Sequence, residues 1–183
     1  MKDSENIKYL IMKIVEEDSE AFQNFYNLFY LRIYRFSGYF VKSNNFKEEI
    51  VSDVFLSVWL RRKTLEVIEN IEAYLYATTK NRALYYLNHI SQETTVSIEN
   101  LPIGYSVYQE TPENILLTKE LKQALNRAVV ALPERCKLIY LMAKEGGLKY
   151  REIAQILTIS EKTVNAQMVT ALKKLGVALR TYL

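Results

Sequence analysis

Three carboxylates lie close together in the first half of the chain, at Glu48, Glu49 and Asp53. Such a cluster could hold a metal ion or serve general acid–base catalysis. The sequence supplies no histidine or second carboxylate motif at a usable spacing, no nucleophile paired with a base and no glycine-rich phosphate loop. We therefore expect no metal site, no cofactor and no enzymatic activity.

The chain has a single cysteine, Cys136, and a single histidine, His89, which exclude two further kinds of site. One cysteine cannot form an internal disulfide, and one residue of each type cannot build a zinc site. The N-terminus lacks the basic patch and apolar run of a signal peptide, and no stretch approaches the roughly 18 apolar residues of a membrane span. The sequence therefore predicts a cytoplasmic protein that is neither exported nor inserted in a membrane.

A DNA-binding chemistry is indicated by residues 150–175, YREIAQILTISEKTVNAQMVTALKKL. Ala154 would let two helices approach closely, Ile159 would fill the space between them, and Ser160 would cap the second helix. These features are typical of a helix-turn-helix. Residues 132–183 also carry nine Lys and Arg against four Asp and Glu, and this basic balance supports the same interpretation.

The apolar residues of the second helix determine which of its faces points outward. We expect three residues to be buried: Val164, Met168 and Leu172. Near the N-terminal half, where a recognition helix meets base edges in the major groove, the outward residues are Glu161, Lys162, Asn165, Ala166 and Gln167. Three cations would lie nearer the phosphates: Lys173, Lys174 and Arg180.

Periodic apolar residues predict the helices that must position these side chains. Hydrophobic residues make up 49% of the 183, with five Gly and three Pro, which is typical of a globular and largely helical chain. Helices are predicted from Ile7 to Val15, from Phe22 through an aromatic stripe that ends at Asn44, over 47–62, and from a cap at Asn70 to His89. No segment alternates like a strand, so we expect an all-α fold.

Residues 91–112 break this pattern, because they are rich in Ser, Thr and turn formers and hold two of the three prolines. We interpret them as a flexible linker between one helical domain at 1–90 and a second at 113–183. A helix is predicted from Pro112 to Ala128. Further helices are predicted over 133–146, 149–156 and 161–180.

Four segments are most informative when they are read together. They are KEEIVSDVFLSVW at 47–59, NIEAYLYATTKNRALYYL at 70–87, ALPERCKLIYL at 131–141 and GLKYREIAQILTISEKTVNAQMVTALKKL at 147–175. In this order they resemble the extracytoplasmic-function sigma factors of bacterial RNA polymerase. The resemblance implies a sigma region 2 helical bundle, a linker and a sigma region 4 helix-turn-helix. It also implies a non-catalytic subunit that binds core polymerase and directs promoter-specific transcription initiation.

The resemblance assigns polymerase binding to the acid-rich helix of region 2. The residues it implies are Glu49, Ser52, Asp53, Phe55 and Trp59. Two carboxylates one turn apart on a partly apolar helix would complement a basic coiled coil, with Phe55 and Trp59 supporting the helix from inside. From the residues alone, a solvated acidic face is an equal alternative.

The resemblance assigns the minus-10 element to the loop after that helix and to the next helix. The residues it implies are Arg61, Arg62, Lys63, Lys80, Asn81, Arg82, Tyr85 and Tyr86. Fixed cations suit phosphates, and aromatic faces suit unstacked bases. Tyr85 and Tyr86 would fit core positions equally well, and Tyr85 stands where many relatives carry Asp.

The resemblance assigns binding of the minus-35 element to the second helix of the helix-turn-helix. The implied residues are Ser160, Lys162, Thr163, Asn165, Ala166, Gln167, Thr170, Lys173 and Lys174. Thr170 stands where relatives often carry Arg. The partners implied are core RNA polymerase and promoter DNA, and the resemblance leaves open an anti-sigma factor.

A second hypothesis is a helix-turn-helix activator or repressor that acts without replacing the sigma subunit, because LPER followed by a Lys-Tyr-Arg-Glu-Ile-Ala helix also occurs in such proteins. Regulators of the response-regulator type carry a receiver, and residues 1–110 show no strand–helix alternation. An enzyme that uses Glu48, Glu49 and Asp53 is disfavoured, because no catalytic partners accompany them.

Overall fold

Helices dominate the two parts of the chain that the computed structural model describes, residues 2–90 and 119–180, and neither part contains a strand. The first part holds α1 (Lys2–Val15), α2 (Ser19–Ser37), α3 (Asn44–Leu60), a 3₁₀ segment (Arg62–Val67) and α4 (Ile71–Ile90). The second holds α5 (Lys119–Val130), α6 (Glu134–Lys144), α7 (Tyr150–Leu157) and α8 (Glu161–Ala178). The predicted all-α fold is confirmed.

The described helices fall into two compact units, with α1 to α4 in the first and α5 to α8 in the second. The linker predicted at 91–112 lies outside the described residues. The first part of the helix predicted from Pro112 lies outside them as well, and its described portion is α5.

The first unit is built around an apolar core to which every one of its helices contributes. Its fully buried side chains include Ile14 of α1, Phe25, Phe29 and Ile33 of α2, Ile50 and Val54 of α3, and Leu75 of α4. Asp18 caps α2, since its carboxylate accepts hydrogen bonds from the backbone N–H groups of Glu20 (2.9 Å) and Ala21 (3.0 Å). Asn70 caps α4 as predicted, accepting from the N–H of Ala73 at 3.0 Å.

The aromatic stripe of α2 continues beyond the end of the helix. We expected the helix to extend to Asn44, but α2 ends at Ser37 and a turn follows. The ring of Phe40 in this turn packs edge-on against Phe36, with centroids 5.3 Å apart. Apolar spacing therefore persists through the turn, and periodicity alone could not locate the helix end.

In the second unit, α7 and α8 form the predicted helix-turn-helix. Thr158 adopts a left-handed backbone conformation with φ 58° and ends α7. Ile159 N–H then bonds to the Ala154 carbonyl at 3.0 Å. The Ser160 hydroxyl accepts from the backbone N–H of Thr163 at 3.0 Å and so caps α8.

The buried face of α8 differs from the prediction at one position. Val164 and Met168 are buried as expected, and Ala171 and Leu175 complete the face. Leu172 is 49% exposed, so its predicted burial was wrong. At about 100° per residue, eight residues beyond Val164 lie about 80° off its direction, whereas seven or eleven residues return to within about 20°.

Candidate functional site

Helix α3 turns five apolar residues to the core, Ile50, Val51, Val54, Phe55 and Val58, and its outer face carries Glu49 beside the exposed Leu56 and Leu60. Phe55 is 2% exposed and its ring lies 4.6 Å from that of Tyr26, so it supports the helix from inside. Trp59 is half-buried, with its ring 5.0 Å from that of Phe22. Glu49 and Ser52 are exposed. Among the residues predicted to bind polymerase, these two are the most accessible.

Asp53 is engaged within the first unit through a cluster that spans α3 and α4. The Tyr86 hydroxyl donates to the Asp53 carboxylate at 3.3 Å, and Arg82 Nη1 lies 4.0 Å from the same oxygen. Arg82 Nη2 also donates to the Ser57 hydroxyl at 3.4 Å. Burial raises the pKa of Tyr86 to about 12, and the neighbouring charges of Asp53 and Glu49 add to the effect. We call Asp53, Ser57, Arg82 and Tyr86 the α3–α4 cluster.

This cluster joins residues that the sequence assigned to two different sites, because Asp53 was assigned to polymerase binding and Arg82 and Tyr86 to DNA. Ser57 was missed. It lies one helical turn after Asp53, so the shared face was visible in the sequence, but its partner on α4 was not.

Arg62, predicted to contact the minus-10 element, is engaged by other groups of the first unit. Its Nη2 pairs with Glu17 at 2.5 Å, and its Nη1 donates to the Trp59 carbonyl at 3.0 Å. This guanidinium holds the pKa of Glu17 below its ordinary value, first by the hydrogen bond and then by its charge. The neighbouring cations of the predicted loop, Arg61 and Lys63, are exposed.

Helix α4 places the two tyrosines predicted to bind the minus-10 element, Tyr85 and Tyr86, in different environments. Tyr85 is 54% exposed, and its ring lies 4.2 Å from that of His89. Tyr86 is half-buried and contacts Phe46, with centroids 6.3 Å apart. Asn81 is also exposed on this helix, and Lys80 is half-buried. Of these two tyrosines, Tyr85 therefore offers the ring that is more open to solvent.

Helix α8 presents most of its predicted residues to solvent. The exposed ones are Ser160, Lys162, Asn165, Ala166, Thr170, Lys173 and Lys174. The Thr170 hydroxyl donates to the Ala166 carbonyl at 2.9 Å, and the half-buried Thr163 pairs its hydroxyl with that of the cap residue Ser160 at 2.8 Å. Six of the nine residues assigned to the minus-35 element thus lie exposed on the helix itself, and exposed Ser160 caps it.

Gln167 departs from its predicted outward orientation. It is half-buried, and its side-chain oxygen accepts a hydrogen bond from the thiol of Cys136 on α6 at 2.8 Å. The pairing of two residues 31 positions apart was not visible in the sequence. Gln167 therefore lies at the edge of the recognition face, where it also joins α8 to α6.

Within 2–90 and 119–180, no group of three or more Cys, His, Asp or Glu side chains could hold a metal ion. Over the same described part of the chain, no helix has the length and apolar character to cross a membrane.

Two family models match the chain in the order of its two units. The Sigma-70 region 2 model matches residues 25–92, and the Sigma-70 region 4 model matches residues 122–175. The first match covers most of α2 and all of α3 and α4, and the second covers the helix-turn-helix. The two matches together define the class, a sigma-70-type protein of transcription initiation.

Curated sigma factors are similar to this chain over most of its length. The chain is 23% identical over 169 residues to the ECF RNA polymerase sigma-E factor of Escherichia coli K12, covering 88% of each chain. It is 22% identical over 169 residues to the same factor of Haemophilus influenzae, covering 88% of this chain and 89% of the relative. The chain belongs to the extracytoplasmic-function group of the sigma-70 family of RNA polymerase sigma factors. Sigma factors are regulatory, non-enzymatic proteins.

Solved structures share the fold. CnrH in complex with the cytosolic domain of CnrY matches with a TM-score of 0.54 and 15% identity, covering 96% of this chain and 98% of that one. RpoE in complex with the anti-sigma factor NepR from Bartonella quintana matches with a TM-score of 0.55 and 18% identity, covering 87% and 96%. A regulator that leaves the sigma subunit in place is not favoured, because region 2 is present.

Proposed function

We propose that this sigma factor binds core polymerase with the outer face of α3, the minus-10 element with the 3₁₀ segment and α4, and the minus-35 element with α8. It acts in the cytoplasm as a non-catalytic subunit. In this proposal residues 1–90 form region 2, residues 91–112 the linker and residues 113–183 region 4. The observation that carries it is the exposed polar face of α8. This helix is capped by Ser160 and follows α7, which ends at the left-handed Thr158, in a helix-turn-helix.

Polymerase binding is supported by charge on α3. Glu49 and Asp53 lie one turn apart on α3, where Glu49 is exposed and Asp53 is partly exposed beside α4. A basic helical partner would be attracted to this face, and the buried Phe55 keeps the helix in place beneath it.

Minus-10 binding is supported by exposed cations and one exposed ring. Arg61 and Lys63 flank the bound Arg62 at the start of the 3₁₀ segment, where they can contact phosphates. Tyr85 offers an aromatic face on which an unstacked base could rest. Tyr86 and Arg82 contribute from the α3–α4 cluster.

Minus-35 binding is supported by the way side chains divide along α8. Lys162, Asn165 and Ala166 lie near its N-terminus, where a recognition helix reads base edges. Lys173 and Lys174 lie about two turns further along, where cations reach the DNA backbone.

An anti-sigma factor is a further partner in this proposal. The two solved structures of similar fold are each bound to a second protein, the cytosolic domain of CnrY in one and the anti-sigma factor NepR in the other. A protein that covers α3 or α8 would block polymerase or promoter binding and so hold the factor inactive.

The test is reconstitution with core RNA polymerase and run-off transcription on genomic fragments of the source organism. We expect promoter-specific transcripts that require this chain and no other sigma factor. The matched control is the double variant Glu49→Lys, Asp53→Lys, which should lose them if it folds normally. Transcripts that appear only when a second sigma factor is added would overturn the proposal in favour of an accessory regulator.

A further inference from the structure

The α3–α4 cluster links the helix assigned to polymerase binding with the helix assigned to the minus-10 element. Arg82 on α4 faces two acceptors on α3, the Asp53 carboxylate and the Ser57 hydroxyl. Tyr86, one turn after Arg82, donates its hydroxyl to the same carboxylate oxygen. One acidic side chain therefore meets both a cation and a phenol from successive turns of the minus-10 helix.

This geometry restricts the orientation of α4 side chains. A guanidinium is a planar fork with five N–H donors. Arg82 Nη2 donates to Ser57 and Nη1 lies at ion-pair distance from Asp53, so both contacts favour one orientation of the fork. The remaining donors stay available for phosphate or base acceptors. Tyr86, whose ring also contacts Phe46, is held at both its ring and its hydroxyl.

The exposure of Asp53 agrees with a role inside region 2. Its side chain is 33% exposed and that of Arg82 is 43% exposed, so the pair lies at the surface but is partly shielded. Glu49, one turn earlier, is exposed, and its carboxylate also lies close enough to the Tyr86 hydroxyl to raise the pKa of that group.

We propose that Asp53 is a positioning residue for minus-10 recognition, which orients Arg82 and Tyr86 of α4 toward DNA from across the α3–α4 contact. This inference rests on the proposed assignment of α4 to the minus-10 element. Asp53 contributes through Arg82 and Tyr86 and does not itself contact DNA. Its loss weakens promoter binding even when every sigma molecule is already bound to polymerase.

The experiment measures the affinity of reconstituted holoenzyme for a fluorescent fork-junction DNA carrying the minus-10 element, with core polymerase at saturating concentration. The variants are Asp53→Asn, Tyr86→Phe and the two combined. Tyr86→Phe removes only the hydroxyl, so it keeps the test valid if Asp53→Asn folds poorly. Thermal unfolding of each variant and a separate titration of core polymerase complete the measurement.

We expect each single variant to weaken fork binding by about three- to tenfold, the range that one hydrogen bond of ordinary net strength supplies. The double variant should bind the fork no more weakly than Asp53→Asn alone, because the Tyr86 hydroxyl acts only through the Asp53 carboxylate. Tyr86→Phe should bind core polymerase like the parent. Glu49→Gln serves as the comparison, since any defect from weaker polymerase binding should disappear at saturation.

Two outcomes would overturn the inference: full fork affinity of Asp53→Asn and Tyr86→Phe at saturation, or losses that multiply in the double variant. Arg82→Ala separates this failure from failure of the proposed function. If Arg82→Ala binds the fork normally, α4 does not read the minus-10 element. If Arg82→Ala is defective while the other two variants are not, only the positioning role of Asp53 is wrong.

Discussion

The guanidinium of Arg62 lies over the indole ring of Trp59, with its central carbon 4.9 Å from the ring centroid. The same side chain donates to the Trp59 carbonyl and pairs with Glu17 in the turn between α1 and α2. Glu17 adopts a left-handed backbone conformation with φ 68°, which is uncommon for a residue other than glycine. Arg62 therefore ties this turn to the end of α3, just where the 3₁₀ segment begins.

Replacing Arg62 should lower the stability of the first unit. Arg62→Ala removes the contact with the Trp59 ring and the bond to its carbonyl, and we expect a loss of about 1–2 kcal/mol in the free energy of unfolding. The ion pair adds little, since Glu17 is largely exposed. Denaturant unfolding measures the change. Lys63→Ala, at an exposed neighbouring position, is the control, and its free energy of unfolding should stay within about 0.5 kcal/mol of the parent. Equal stability of the two variants would contradict a stabilising role for the Arg62 contacts.

The raised pKa of Tyr86 predicts a pH dependence at alkaline pH. Its folded pKa is about 12 and the ordinary value is 10.0, so folding favours the protonated phenol. The resulting stabilisation is fully present below pH 10 and is lost as pH rises through 12. Phenolate absorbance near 295 nm, compared between the parent and Tyr86→Phe, should differ little at pH 10 to 11 and then diverge. Divergence centred at pH 10 would show that the hydroxyl is not buried against Asp53.

Charge reversal on α3 should weaken polymerase binding. Glu49→Lys places a cation on the exposed face of the helix, and we expect core affinity to fall by roughly tenfold, with a larger effect at low salt. Glu5→Lys makes the same charge change at an exposed position on α1 and controls for net charge. Affinity is measured by titrating labelled chain with core polymerase. Equal effects of the two variants would mean that the charge of the whole domain matters and the α3 face does not.

Base-reading and backbone-binding residues of α8 should respond differently to substitution. Asn165→Ala should cost about 1–3 kcal/mol on particular base pairs of the minus-35 element and relax the preference there. Lys173→Ala should weaken binding to all sequences and lower the salt slope by about one unit. Holoenzyme binding to minus-35 variants at several salt concentrations measures both. If only Lys173→Ala changes the ranking of the variants, the two faces have been assigned in reverse.

Gln167 calls for a different control, because its oxygen is occupied by the Cys136 thiol. Gln167→Ala should lower the stability of the second unit as well as any DNA affinity, since it breaks a contact between α6 and α8. A DNA defect of this variant counts as base readout only if Cys136→Ala, which breaks the same contact from the other side, leaves the ranking of minus-35 variants unchanged.

Features that depend on neighbours within a few residues were predictable from the sequence alone. The caps at Asn70 and Ser160 each satisfy an N–H three residues later, so residue type and position suffice to predict them. The four motif segments, read in order, indicated the family because they spread over nearly the whole chain. Apolar periodicity together with caps and turns also predicted α1 to α8, with errors at the ends, as at Ser37, whereas the 3₁₀ segment was predicted as a loop.

The tertiary structure decided which polar residues are already engaged. Arg62 pairs with Glu17 across 45 positions, Tyr86 with Asp53 across 33, and Cys136 with Gln167 across 31. Such contacts depend on how each helix is rotated about its axis and which turns of two helices meet, and side-chain packing in the core sets both. The sequence could therefore nominate Arg62, Asp53 and Gln167 as surface residues, but only the packed helices show that each is bound to the protein itself.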